Sequence, residues 1–162
     1  MRIRRRDDQT VELSGIDLLC CELLRQIVVS GQVDDFPAAR ERLYSSPSHG
    51  REPEFDQDWK DYVEPDLRDM FRTSREVVQA ALKNFPPKKP ADSYTLHIPV
   101  KHLEAWIHAL NQARLALSAR FNFTEHEMED AIPIEGDQRA LALFQVHFYG
   151  FLQECFLRQL ED

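Results

Sequence analysis

The spacing of apolar positions changes along this chain, and each change marks an element. Arg2 to Arg6 and Thr10 to Leu13 are short extended segments joined by Asp7, Asp8 and Gln9, a polar connection of hairpin length. From Ser14 the period turns helical. Ile16, Leu19, Cys20, Leu23 and Ile27 share one face, Ser14 stands at the N-cap with Asp17 three positions on, Leu13 and Leu18 occupy the staple positions, and Gly31 ends the helix. Between Gln32 and Asp58 the period weakens, and Pro37, Pro47, Gly50, Pro53 and several serines predict a mostly irregular stretch holding one short helix, Ala38 to Tyr44.

A second long helix is predicted from Pro65 at a first-turn position, with Asp61, Glu64 and Asp66 near the positive end of its dipole. Leu67, Met70, Phe71, Val77, Val78, Ala81, Leu82 and Phe85 supply its apolar face, and Pro86, Pro87 and Pro90 stop it. Ser93 to Ile98 alternates, with Tyr94, Leu96 and Ile98 on one side and Thr95 and His97 on the other. That half-buried strand can join the hairpin in a three-stranded sheet. Val100 to Phe121 is the next helix, closed by Asn122, a residue that tolerates the left-handed cap. Phe123, Thr124, Glu127 and Met128 then hold the staple and capping-box positions of a new helix. A last helix from about Asp137 to Leu160 is apolar on nearly every side between Ala140 and Leu157, which predicts that it is the central one.

Composition narrows the functional classes. At 162 residues the chain is the size of one ordinary domain, spanning 1–162, and 43% hydrophobic residues with five glycines is a globular composition. A formal charge of -8 repels a phosphate backbone and an anionic membrane surface. The arginines at positions 2, 4, 5 and 6 run against this, although Asp7, Asp8 and Glu12 follow at once. An RNA-contacting strand is therefore a minor reading. With no bilayer-length apolar run and no secretion signal, the expected location is the cytoplasm. Cys20, Cys21 and Cys155 form neither a disulfide framework nor a spaced metal-ligand pair, and read as reduced core residues.

The candidate chemistry is sparse. No two of the six histidines stand at the i, i+4 spacing with which zinc helices present two ligands, and no phosphate loop or nucleophile elbow occurs. No cofactor or metal is expected. The acidic group Glu125, Glu127, Glu129 and Asp130 reads as a solvated helix start. Arg114 is different, because it falls on the apolar stripe of Leu103, Trp106, Ile107, Leu110, Leu117 and Phe121. A charge there needs a partner, since burying it alone costs several kcal/mol. Glu154 is the sole carboxylate between Gln138 and Leu160, so the expected polar centre is an Arg114–Glu154 bridge with Asn111 one turn away. Two alternatives stay open: Glu154 pairs locally with Arg158, leaving Arg114 to snorkel, or Arg114 holds an anion.

The segment Leu103 to Glu125 resembles an uncharacterised bacterial family catalogued as a domain of unknown function, number two thousand and seventeen. The resemblance rests on Trp106, Ala109, Leu110, Asn111, Arg114, Leu115, Ala116 and Leu117, then Arg120, Thr124 and Glu125. Ser118 and Asn122 stand where the family pattern carries glycines. The Arg-rich first strand and Leu152, Gln153, Glu154 are similar too. The family brings no assigned activity or catalytic residue. Some members lie beside the adaptor of the Clp protease, which implies at most a link to regulated proteolysis.

Together these features predict an α+β fold, a mostly helical bundle of four to five helices carrying a small two- to three-stranded antiparallel sheet. The expected function is a non-enzymatic interaction or regulatory module with a protein partner, compatible with a homo-oligomer, and without nucleic acid or membrane. The alternative is a small-molecule hydrolase or anion-binding enzyme at Arg114, with His97 or His147 as acid or base.

Overall fold

Strand β1 (Arg2–Asp7) turns at Asp8 and Gln9 into β2 (Thr10–Ile16), and β3 (Tyr94–Pro99) pairs on the far side of β2, giving an antiparallel sheet in the order β1-β2-β3. This is a computed structural model, and it describes residues 1–129 and 136–161. Val11, Leu13, Tyr94, Leu96 and Ile98 alternate onto the buried face, as the period of two requires. The helix expected from Ser14 starts later. Gly15 adopts φ +66°, the register shifts between Leu13 and Ile16, and both apolar side chains are thereby buried on the same face. Ser14 stays in the strand. The cap of α1 (Leu18–Ser30) is instead Asp17, whose carboxylate accepts from the Cys20 N–H at 2.8 Å.

The stretch from Gln32 to Asp58 is more ordered than its composition predicts. Besides α2 (Pro37–Tyr44) it holds α3 (Pro53–Asp58), which runs through a π-helical turn (Trp59–Val63) into α4 (Glu64–Leu82). The wide turn immediately precedes Pro65. Proline offers no N–H to the carbonyl a turn back and its ring crowds that carbonyl, so a widened turn is where such a helix relaxes. Trp59 fixes it from outside by donating from its indole Nε1 to the Tyr44 carbonyl at 3.0 Å.

A 3₁₀ turn (Val100–His102) leads from β3 into α5 (Leu103–Phe121), which Asn122 closes at φ 51°, ψ 48°. The capping box opens α6 (Glu125–Glu129): Glu127 accepts from the Thr124 N–H at 2.9 Å, and the Glu127 N–H donates to Thr124 Oγ1 at 3.2 Å. Asp130 of the expected acidic group lies outside the described residues. Helix α7 (Gln138–Glu161) runs back along α5.

The fold is α+β, but its centre is α5 and not α7. Helix α5 packs on α1, α2, α4 and α7, and its buried set includes Leu103, Trp106, Leu110, Ala113 and Leu117. Helix α7 covers one side of it and leaves Leu141, Phe151, Leu157 and Leu160 exposed. Trp106 meets Phe156 edge to face across this contact, with ring centroids 6.0 Å apart. A second small core under α2 joins Val33, Ala39, Leu43, Tyr44 and Phe71 to Ala116 of α5.

Glu127 also accepts from Arg139 at 2.6 Å, joining α6 to the start of α7. The Arg139 guanidinium, followed by the Thr124 backbone N–H, holds this carboxyl down at about 2. A carboxyl lowered on folding stabilises above its unfolded value, and that contribution is lost as pH falls through the folded one. Acid titration of the melting temperature should show wild type losing stability faster than Glu127→Gln between about pH 4.5 and 2. Parallel acid limbs would refute the role of this pair.

Candidate functional site

Arg114 is half-buried on α5 where α7 crosses it, and the expected bridge to Glu154 is not formed. Glu154 lies on the exposed side of α7 and pairs with Arg158 one turn on. The reason is the placement of α7, whose outer face was expected to be buried. Arg114 instead donates from Nη1 to Gln153 Oε1 at 2.7 Å, and Gln153 Nε2 donates to the Ile107 carbonyl at 3.1 Å. The guanidinium thus meets a neutral amide that is itself tied back to α5. Asn111 is half-buried and does not join this network.

Gly150 makes the approach feasible. A β-carbon there would stand 3.3 Å from both Cζ and Nε of Arg114, closer than such carbons ordinarily sit. Arg114 Nε is buried and has no hydrogen-bond partner among the described residues. Burial accordingly pulls the Arg114 guanidinium below its ordinary value.

A second amide centre lies on the opposite side of α5. Gln112 is fully buried, accepts from Arg75 Nη1 at 2.7 Å and donates to the Phe71 carbonyl at 3.3 Å, joining α5 to α4. Neither glutamine was assigned a role from sequence. Gly150, the sole glycine within α7, was the available signal for a close approach, and an uncharged Gln adjoining Glu154 was overlooked because a cation suggests an acid.

Neither His97 nor His147, the two candidates for acid or base, is hydrogen-bonded to Arg114 among the described residues. His97 is on the outer face of the sheet, within 3.4 Å of Glu12 and 3.3 Å of Arg6. His147 keeps a buried Nε2 without a partner among the described residues. Burial raises the thiols of Cys21 and Cys155 and pushes Cys20 up to about 11, with the Asp17 carboxylate adding to Cys20, so all three are protonated at neutral pH. Burial likewise raises the Tyr149 phenol, which donates to the Leu23 carbonyl at 2.8 Å. No group of three or more His, Cys, Asp or Glu among the described residues is arranged to hold a metal ion. No described helix is long and apolar enough to cross a membrane.

A groove and a cleft among the described residues have the dimensions of binding sites. Helices α1, α5 and α7 border a groove of about 490 Å³ with Leu23, Leu117 and Ala142 in its lining and Glu22, Gln26, Arg120 and Gln138 among its polar groups. Leu19, Val29 and Leu141 also line it and are 55%, 58% and 50% exposed. The other is a cleft of about 520 Å³ between α4 and β3. Arg114 lines neither.

Comparison with known proteins identifies one relationship. A family model described as a domain of unknown function, DUF2017, matches residues 4–160. No curated protein and no solved structure matches the chain.

The Arg114–Gly150 contact predicts non-additive stability. Gly→Ala inside a helix normally gains ~1 kcal/mol. Gly150→Ala should deliver that gain in an Arg114→Ala background and at least ~0.5 kcal/mol less in wild type, where the guanidinium must yield. Equal increments in urea unfolding would refute the contact.

Proposed function

The chain belongs to the family DUF2017, and from that premise we propose that it is a non-enzymatic interaction module that recognises another protein through the face formed by α1 and α7. The observation that carries this reading is the row of large apolar side chains flanking the groove. Leu19 and Val29 on α1 and Leu141 on α7 spend half or more of their surface on water, in a chain where 30% of residues are charged. Covering them would return about 1 kcal/mol each. The polar rim of Glu22, Gln26, Arg120 and Gln138 would set the register of what binds.

The chemistry inside the molecule points the same way. Arg114 is engaged by an amide, and no described histidine is bonded to it. Its work is to fix how α5 and α7 dock. A cytoplasmic role beside a protease adaptor, implied by the genomic neighbourhood of some family members, is one setting for such a module, and co-purification with that adaptor tests it. A second copy of the chain is the other occupant the face could accept, and the mass of the complex separates the two.

Immobilised protein should capture a partner from native cytosol, or self-associate. Leu19→Glu and Leu141→Glu should each weaken that association at least tenfold while moving stability by less than about 0.5 kcal/mol, as exposed substitutions do. Undiminished association in both variants would overturn the reading.

A further inference from the structure

The sheet has two outer strands, and they are treated differently. On β1 the outward side chains are Arg2, Arg4 and Arg6, charges of the kind that discourage a further strand from pairing. Strand β3 carries no such guard along Thr95 and His97. Its neighbour is α4. The cleft of about 520 Å³ between them is lined from α4 by Thr73, Glu76, Val77, Ala80 and Ala81, spaced as one helix face, and from the sheet side by His97, Pro99 and His102.

The backbone of β3 defines what the cleft can hold. Val100 donates its N–H to the Gln9 carbonyl at 2.8 Å, and Ile98 and Leu96 stand opposite Val11 and Leu13 of β2. In an antiparallel ladder the groups of alternate residues point to opposite sides, so those of Thr95 and His97 point away from β2. Among the described residues no strand pairs there. Pro99, which has no N–H, ends the edge. Apart from Glu76, the side chains of α4 that line the cleft are small.

We propose that this edge and the α4 face together form a docking slot for an extended acidic peptide, which adds to β3 as a fourth strand. The free N–H and C=O groups of Thr95 and His97 supply backbone pairing for a segment of about four residues, and alternate side chains of the peptide enter against Val77, Ala80 and Ala81. Charge selects the acid. Lys101 lies in sequence between the lining residues Pro99 and His102, Arg6 reaches the lining residue His97 at 3.3 Å, and Lys83 caps α4 three residues beyond the lining residue Ala80. The nearby carboxylates are already engaged, Glu76 with Arg72 at 3.6 Å and Glu12 with Arg4 at 2.8 Å. In a chain of charge -8 this is a local cationic rim. The proposal is independent of the α1–α7 face.

The test is fluorescence anisotropy of the full chain with a labelled, capped Val-Glu-Val-Glu-Val-Glu peptide. Binding should fall at least tenfold with Lys in place of Glu, and at least tenfold when alternate peptide amides are N-methylated, which keeps the side chains and removes the donors. Ala80→Tyr, an exposed position that fills the slot, should also reduce it at least tenfold, and Leu19→Glu should leave it unchanged. No binding of the acidic peptide, equal binding of the lysine or N-methylated peptide, or loss on Leu19→Glu with none on Ala80→Tyr would each overturn the proposal.

Discussion

Helix α5 is enclosed by α1, α2, α4 and α7, and the placement of those helices follows from that enclosure. A helix surrounded in this way cannot present one apolar stripe and one wet face; it must offer packing surface on several sides at once. Ala109, Ala113 and Ala116 let neighbours come close, Trp106 and Leu110 fill the larger gaps, and the polar residues that remain have to be satisfied by whatever approaches. Gln112 is answered by α4 through Arg75 and the Phe71 carbonyl, and Arg114 by α7 through Gln153. Amides suit this task because each offers a donor and an acceptor, so one glutamine can serve its neighbour and its own helix without burying a second charge.

The same enclosure explains which parts of the fold were legible in the sequence. Local devices were. The alternation of Tyr94, Leu96 and Ile98, the left-handed Asn122 and the reciprocal Thr124–Glu127 cap depend on neighbours a few residues away and are formed as the sequence implies. Ser14 was the exception among caps, because the bulge at Gly15 that carries Ile16 into the sheet is decided by the pairing with Tyr94, about eighty residues distant. Helix α3 was missed for lack of a periodic face: none of its residues is buried.

The larger error concerned the two long helices. Helix α7 reads as the centre because apolar residues surround it, yet Leu141, Phe151 and Leu157 face water; α5 carries Gln112, Arg114 and Ser118 and is nevertheless the one enclosed. Apolar side chains commonly remain on surfaces, whereas most buried polar groups are hydrogen-bonded. Hydrophobicity alone could not rank them. The misplacement of Glu154 followed directly, since a carboxylate on the outer side of α7 faces away from α5 and pairs with Arg158 one turn on. An inverted distribution of this kind between the two helices leaves large apolar side chains of α7 on the surface while the polar centres of α5 hold the frame.

Arg5 donates to the carbonyl of Gln159, a contact spanning 154 residues that ties the first strand to the closing turn of the last helix. Its consequence concerns the order of events during synthesis. Chains emerge from the ribosome amino end first, and domains tend to fold as units once their parts are available. Here β1 and β2 can pair early, but the side of α5 that receives Phe156 and Tyr149 stays open to water until α7 has been made. A nascent chain without α7 therefore leaves this apolar side of α5 uncovered, the kind of exposed surface on which aggregation and chaperones act.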